Sequence, residues 1–197
     1  LVGSFAALVQ TNIKRLMAYS SIANIGFVLM GLASGPEQGP SSALIYLTLY
    51  LPMTIGAFAI ILAMRRDGVN VEKLDDLAGL GSRRPWMAMV LTVLFFSLAG
   101  IPPLAGFFGK FYVFKAIIEA RLYWLALVAA VATVVGAGYY LRIVKIVWFD
   151  APAQRFEKTS VAVFATAIGA TLLTFPILVV ALGSIEQWAA LAAKSSF

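Results

Sequence analysis

The chain has 197 residues, of which 61% are hydrophobic and only 12% are charged. Since a soluble domain is roughly 45–50% apolar and about 25% charged, this composition excludes an ordinary water-soluble enzyme. The formal net charge is +6 and both cysteine and histidine are absent, which excludes disulfides, thiolate and imidazole chemistry, and most transition-metal or haem sites.

The first 34 residues predict the end of one helix and one complete membrane span. Residues 1–10 are apolar without a charged start, so they look like the end of a helix whose beginning is missing. Thr11-Asn12 offers an N-cap, and the following apolar block from Ile13 to Ser34 stops at Gly35-Pro36. This block is long enough to cross about 30 Å of hydrocarbon.

The remaining apolar blocks predict four more spans and one surface helix. Pro52 falls inside the first of them, and proline is tolerated in membrane helices when neighbouring groups satisfy the freed carbonyl. Helical spacing of apolar residues over Ile185–Lys194 predicts a tail that lies on the membrane surface. We therefore expect one membrane domain over residues 1–183 and an amphipathic tail over 184–197. The four spans are Ser41–Met64, Pro85–Glu119, Tyr123–Val147 and Thr159–Gly183, and the longest polar loop is Arg65–Arg84.

The basic residues lie between the apolar blocks, which indicates membrane topology rather than a nucleic-acid surface. In this arrangement eleven lysines and arginines share one side of the membrane, and two, Arg121 and Lys194, lie on the other. The side with eleven is predicted to be cytoplasmic. The eleven are Lys14, Arg15, Arg65, Arg66, Lys73, Arg83, Arg84, Arg142, Lys145, Arg155 and Lys158.

The segment Pro85–Glu119 is too long for one regular span. A continuous helix of this length would measure roughly 52 Å, which an ordinary tilt cannot fit into the bilayer. Gly100 weakens the helix, and Pro102 and Pro103 lack an N–H and force extended geometry on the residues before them. We expect a broken helix whose two halves meet near the membrane centre.

Lys110, in the second half of that segment, is the main candidate for a functional residue. It lies roughly 16 Å of helix from the boundary at Arg121, beyond the reach of a snorkelling side chain. An ionisable residue at this depth predicts an ion or proton path, and lysine can alternate between charged and neutral forms. The alternative is a boundary lysine misplaced by a turn or two. No Asp or Glu falls deep within any span, so its partner is expected elsewhere or as water.

Other polar residues are weaker candidates. Lys115 is close enough to the boundary to reach the surface and to pair with Glu119 four residues on. Lys14 follows an N-cap at the cytoplasmic membrane edge, where anchoring is the plain explanation and a proton entrance is the weaker alternative. A polar stripe in the same helix indicates either contacts between helices or support for a water path; its members are Tyr19, Ser20, Ser21 and Asn24.

Three runs of sequence together resemble a known family. TNIKRLMAYSSIANIGFVLMGLA, SLAGIPPLAGFFGKFYVF and YYLRIVKIVWF are similar to the antiporter-like membrane subunits of the proton-pumping NADH–quinone oxidoreductase, respiratory complex I. The similarity extends from Val9 to Trp148 and continues more weakly to the end. Other antiporter-like subunits often carry a histidine in the helix that corresponds to Ser41–Met64, and this chain has none.

The resemblance implies an all-α, polytopic bundle with inverted repeats, each containing one broken helix, of which this chain is the C-terminal part. Pro85–Glu119 matches the broken helix and Lys110 the family lysine near the proton exit. The implied partners are other membrane-arm subunits, including a neighbouring antiporter-like subunit, and lipids, with no nucleic acid. NAD, FMN, iron–sulfur clusters and quinone are expected in other subunits, with no cofactor or metal in this chain, in a bacterial plasma membrane.

Two alternatives remain at this point. The chain could belong to a multisubunit cation/proton antiporter or a membrane-bound hydrogenase, which share the motifs. It could also be a passive membrane scaffold in which Lys110 only makes a contact between helices.

Overall fold

The computed structural model describes residues 1–66, 68–154, 156–157 and 160–196, with side chains to residue 193. Arg155, Lys158, Thr159 and the side chain of Lys194, all used in the predicted topology, lie outside the described residues. Over the described part the chain is a helical bundle, which confirms the predicted all-α class. The helices are α1 (Val2–Leu8), α2 (Ile13–Leu32), α3 (Gly39–Ala63), α4 (Leu80–Arg83), α5 (Pro85–Ala99), α6 (Ala105–Glu119), α7 (Tyr123–Phe149), α8 (Val161–Leu172), α9 (Leu178–Val180) and α10 (Leu182–Ser196).

Three of these helices and one helix pair have the length and apolarity of membrane spans. α2, α3 and α7 qualify alone, and Val161–Val180 qualifies as a fourth candidate. The helix α5 is apolar but has only 15 residues, and α6 has 15 as well. Each measures about 22 Å, so α5 and α6 cross the bundle as one broken span.

The N-cap predicted for α2 is confirmed. Asn12 has extended backbone geometry, and its Oδ1 accepts hydrogen bonds from the N–H groups of Lys14 and Arg15 at 2.9 and 3.1 Å. These bonds satisfy two of the donors that the first helical turn leaves free. The helix therefore begins at Ile13, as the sequence indicates.

The segment Arg65–Arg84 is folded, although its polarity predicts only a loop. Arg65–Arg66 pairs antiparallel with Val69–Asn70 as strands β1 and β2, and a 3-10 turn follows over Leu74–Leu77. Backbone bonds tie the segment to its neighbours, from Ile13 N–H to the Glu72 carbonyl at 2.7 Å and from Gly79 N–H to the Ile146 carbonyl at 3.1 Å. It closes the end of the bundle at which α2 begins and α7 ends.

The last predicted span, Thr159–Gly183, corresponds to the candidate membrane span Val161–Val180, and its helix is interrupted. The helix α8 ends at Leu172, a π-helical turn covers Leu173–Ile177, and Phe175 within it has extended backbone angles of φ −161° and ψ 125°. The cause is Pro176, which has no N–H to donate and disfavours helical geometry at the residue before it.

The C-terminal tail forms the expected helix, and this helix packs against α3. Ala189 and Ala193 of α10 are buried, and Ala189 joins a cluster with Ile45 and Leu49 of α3. Trp188 and Leu191 stay exposed. The helix thus packs along α3 through small residues four apart, and its position on a membrane surface stays a prediction.

Candidate functional site

The break between α5 and α6 is built by the backbone of Gly100. This residue adopts the left-handed conformation, with φ 91° and ψ 35°, which only glycine enters without cost. Its N–H bonds the carbonyl of Ser97 at 2.9 Å, and the N–H of Ile101 bonds the carbonyl of Phe96 at 3.0 Å. This is a Schellman cap, and it satisfies two of the four carbonyls that the last turn of α5 leaves free.

Lys110 takes the other two carbonyls. Its side chain reaches back from α6, and Nζ donates to the carbonyl of Ala99 at 2.8 Å and to that of Leu98 at 3.1 Å. The C-terminus of a helix carries a partial negative charge, so it favours a cation there. The break in the helix therefore frees two carbonyls, and the Lys110 ammonium donates hydrogen bonds to them.

Gly100 also leaves the space that Lys110 fills. A Cβ at position 100 would lie 3.1 Å from Cδ and 3.2 Å from Nζ of the lysine. The start of α6 is held equally close to α5, because the N–H of Gly106 bonds Ser97 Oγ at 3.0 Å. Any side chain at position 106 would collide with the Ser97 carbonyl, 1.8 Å from an ideal Cβ. Close backbone approach thus fixes where Lys110 sits.

Lys110 is buried, with 7% of its surface exposed. Among the described residues no carboxylate forms an ion pair with it. The ring of Phe27 also lies beside it, with its centroid 5.4 Å from Nζ. Main-chain carbonyls of the chain itself hold the ammonium, which the sequence did not predict. The expectation that a carboxylate partner lies elsewhere or is replaced by water stays a prediction.

A cluster of buried polar side chains packs beyond Phe27. Tyr46 donates a hydrogen bond to Asn24 Oδ1 at 2.8 Å, and Asn24 Nδ2 donates to the Ser20 carbonyl at 2.9 Å. Ser20 Oγ and the Tyr140 hydroxyl also hydrogen-bond each other. Ser20 and Asn24 belong to the polar stripe predicted in α2. The cluster joins α2, α3 and α7, which supports the interpretation of that stripe as contacts between helices.

The structure places Lys14, a weaker candidate, far from this site along α2. Its Nζ forms an ion pair with Glu72 Oε1 at 2.9 Å, and Asn12 Nδ2 donates to Glu72 Oε2 at 2.8 Å. The Lys14 ammonium is the main reason that the pKa of the Glu72 carboxyl is lowered from its usual range. The pair fastens the start of α2 to the segment Arg65–Arg84.

Lys115 lies in the second half of α6, in the wall of an open cavity of about 540 Å³. The same wall contains the carboxylates of Glu37, Glu119 and Glu186, and Tyr112 donates a hydrogen bond to Glu186 at 3.0 Å. Lys115 and Glu119 form no ion pair within 4 Å, so the pairing suggested by their spacing is not present between these two described residues.

Sequence reasoning identified Lys110 and the break but missed what surrounds the ammonium. Every residue has a main-chain carbonyl, so the sequence does not show which carbonyls are free to bind the ammonium. Phe27, the aromatic residue beside the ammonium, belongs to another helix. The signal that could have revealed the carbonyls is Gly100 itself, since a left-handed cap leaves two carbonyls of the last turn free. Among the described residues, no group of three or more acidic side chains could hold a metal ion.

A protein-family model described as "NADH:quinone oxidoreductase/Mrp antiporter, TM" matches residues 1–136. Among curated proteins, the NADH-quinone oxidoreductase subunit N of Paramagnetospirillum magneticum is 60% identical over 157 residues, which are 80% of this chain and 32% of that protein. The subunit N of Beijerinckia indica is 54% identical over 196 residues, 100% of this chain and 41% of that protein. The chain thus spans about a third to two fifths of these relatives.

Solved structures have the same fold. A chain of "Respiratory complex I from Thermus thermophilus with bound Aureothin" superposes with a TM-score of 0.82 at 31% identity, covering 94% of this chain and 42% of that one. A chain of the Mrp complex from Dietzia superposes with a TM-score of 0.86 at 21% identity, covering 98% and 44%. At that identity the second comparison shows the fold alone.

Proposed function

The chain belongs to the NADH:quinone oxidoreductase/Mrp antiporter family of transmembrane proteins, and from this premise we propose that it is the C-terminal part of a subunit N of NADH–quinone oxidoreductase. Its relatives of 54–60% identity carry that name. In this role it moves protons across a bacterial plasma membrane while electrons pass from NADH to quinone in other subunits. The end of the bundle with Arg65–Arg84 faces the cytoplasm.

The observation that supports this proposal best is the position of Lys110. A buried ammonium without a carboxylate partner is costly in hydrocarbon, and two carbonyls at the end of a half-helix offset that cost only while the amine is charged. The site therefore treats the two forms of the lysine differently. A group of this kind can take up a proton in one state of the complex and release it in another.

Each element of the site has a role in this mechanism. Gly100 turns the end of α5 toward Lys110 and leaves room for its side chain. Pro102 and Pro103 keep the next residues out of the helix, so the freed carbonyls stay available to the ammonium. A change of conformation or field arriving from the redox subunits would shift the carbonyls relative to Nζ, and the proton would then leave.

The cofactors and partners follow from the same proposal. NAD, FMN, iron–sulfur clusters and quinone belong to other subunits, and this chain contributes proton transfer alone. Its partners are the other membrane-arm subunits, among them a neighbouring antiporter-like subunit, together with lipids. Lys115 and the cavity around it would provide the aqueous exit, and Lys14 acts as an anchor through Glu72.

The test is replacement of Lys110 in the complete complex. We expect Lys110→Ala to abolish or strongly reduce NADH-driven proton translocation in sealed vesicles, with the assembled complex still present by native gel. Lys110→Arg keeps a positive charge that cannot be neutralised, so we expect it to fail as well. Lys145→Ala removes an exposed lysine that contacts Asp150 near the end of α7, and it should pump as the parent does.

The possible results separate the alternatives. Unchanged protons per electron in Lys110→Ala would favour the passive scaffold. If the parent exchanges cations for protons without NADH or quinone, and Lys110→Ala loses this exchange, the result would favour a cation/proton antiporter. The Mrp relatives of this class have the same fold. Coupling to hydrogen evolution instead of NADH oxidation would favour a membrane-bound hydrogenase.

A further inference from the structure

The Lys110 ammonium has three N–H donors, and among the described residues oxygen atoms match two of them, on Leu98 and Ala99. The ring of Phe27 also lies beside the ammonium, with its centroid 5.4 Å from Nζ. We propose that Phe27 is a positioning residue for proton transfer, which holds the charged form of Lys110 through a cation–π interaction. The inference rests on the function proposed above and adds a residue to it.

The Phe27 ring cannot easily turn away from the lysine. It is 2% exposed, and it stacks on Tyr46 with centroids 5.8 Å apart and planes 11° from parallel. Tyr46 is fixed in turn by its hydrogen bond to Asn24 at 2.8 Å, and Asn24 lies one turn before Phe27 on the same helix. The buried polar cluster thus fixes the ring that faces Lys110.

An aromatic face suits a site that must release its proton. Its quadrupole attracts an ammonium and gives little to a neutral amine, and this attraction is strongest in a desolvated site. A buried carboxylate would attract the same cation far more strongly and would hinder its neutralisation. A ring together with two carbonyls therefore stabilises the charged lysine without trapping it.

The experiment replaces Phe27 with phenylalanines carrying one, two and three ring fluorines, incorporated into the complete complex. Fluorination weakens the negative face of the ring while changing its shape little. We expect the initial proton-pumping rate to fall stepwise with each fluorine, by about tenfold over the series, because each fluorine removes part of the attraction between the ring face and the ammonium. Phe95 is the matched control, since it is fully buried and packs against Tyr140; the same fluorines there should leave the rate unchanged.

Three further variants test the ring and the residue that supports it. Tyr46→Phe removes the hydroxyl that bonds Asn24 and should reduce pumping by a smaller factor. Phe27→Trp keeps an aromatic face, so it should retain more pumping than Phe27→Leu, which keeps only apolar bulk.

The outcomes separate this inference from the proposed function. A flat fluorine series at Phe27, in a complex in which Lys110→Ala abolishes pumping, overturns the cation–π role and leaves the proposed function intact. Equal losses at Phe27 and Phe95 also overturn it, because they indicate packing alone. Unchanged pumping in Lys110→Ala overturns the proposed function and this inference together.

Discussion

The chain interrupts two of its long apolar helices, and the two breaks differ in what they do with the freed backbone. Between α5 and α6, the carbonyls of the last turn are shared between a glycine cap and the Lys110 ammonium. Between α8 and α10, the turn at Leu173–Ile177 has no charged residue in it, and Phe175 and Ile177 are largely exposed. Proline accompanies both breaks, so proline alone does not make a site.

The comparison shows what distinguishes the interruption that we propose as a functional site. Leu98 and Ala99, whose carbonyls the break at Gly100 frees, are buried, so these carbonyls must meet a donor. Lys110 supplies that donor from the facing half-helix. At the second break, the Thr174 hydroxyl donates to the carbonyl of Ala170, one turn back, at 2.8 Å. The first break joins two elements through a charge, whereas the hydroxyl at the second break bonds within its own segment.

Among substitutions that leave Lys110 in place, the largest expected effect comes from Gly100→Ala. An alanine at φ 91° costs about 1–2 kcal/mol for the left-handed backbone alone, and its Cβ would push against Nζ and Cδ of Lys110. We expect a lower thermal midpoint of the complex and a pumping rate reduced at least tenfold, because the ammonium loses its place at the carbonyls.

Gly169→Ala is the control for this effect, since it lies in α8 beside the second break. Nothing lies within 4 Å of its ideal Cβ, and alanine favours helix over glycine by about 1 kcal/mol. This variant should pump normally with equal or higher stability. A Gly100→Ala complex that pumps like Gly169→Ala would show that the cap does not position the lysine.

An intermediate effect is expected for Ser97→Ala. Ser97 Oγ accepts the N–H of Gly106 across the first break at 3.0 Å, so its removal leaves a buried donor unpaired at about 1–3 kcal/mol. Thr174→Ala removes an equally buried hydroxyl at the second break, but that hydroxyl bonds within its own helix. We expect Ser97→Ala to lower both pumping and thermal stability, and Thr174→Ala to change neither by much. Equal losses in the two variants would contradict the distinction drawn between the breaks.

The sequence predicted the first break well and the second not at all, for physical reasons. Gly100, Pro102 and Pro103 combine three local signals with a segment too long for one span, so chain length and backbone rules agree. At the second break Pro176 stands alone in a block of ordinary span length, and a lone proline in a membrane helix is usually accommodated. The neighbours of Lys110 come from helices that are distant in the sequence. The sequence around Phe27 and Tyr46 does not distinguish them from lipid-facing aromatic residues.

The smallest expected effect concerns the ion pair between Lys14 and Glu72. Lys14 differs from Lys110 because the partner of Lys14 is an exposed carboxylate. The pKa of Glu72 is lowered chiefly by its hydrogen bond from Lys14. A carboxyl with a lowered pKa stabilises the folded protein at pH values above its unfolded value of about 4.3, and this stabilisation is lost as the pH falls through the folded pKa. Exposed ion pairs contribute little, so Glu72→Gln should lower the thermal midpoint slightly at pH 7. The difference from the parent should vanish in acid, while proton pumping at pH 7 stays unchanged. A clear loss of pumping in Glu72→Gln would instead make Lys14 part of a proton entrance, and the role of anchor would be wrong.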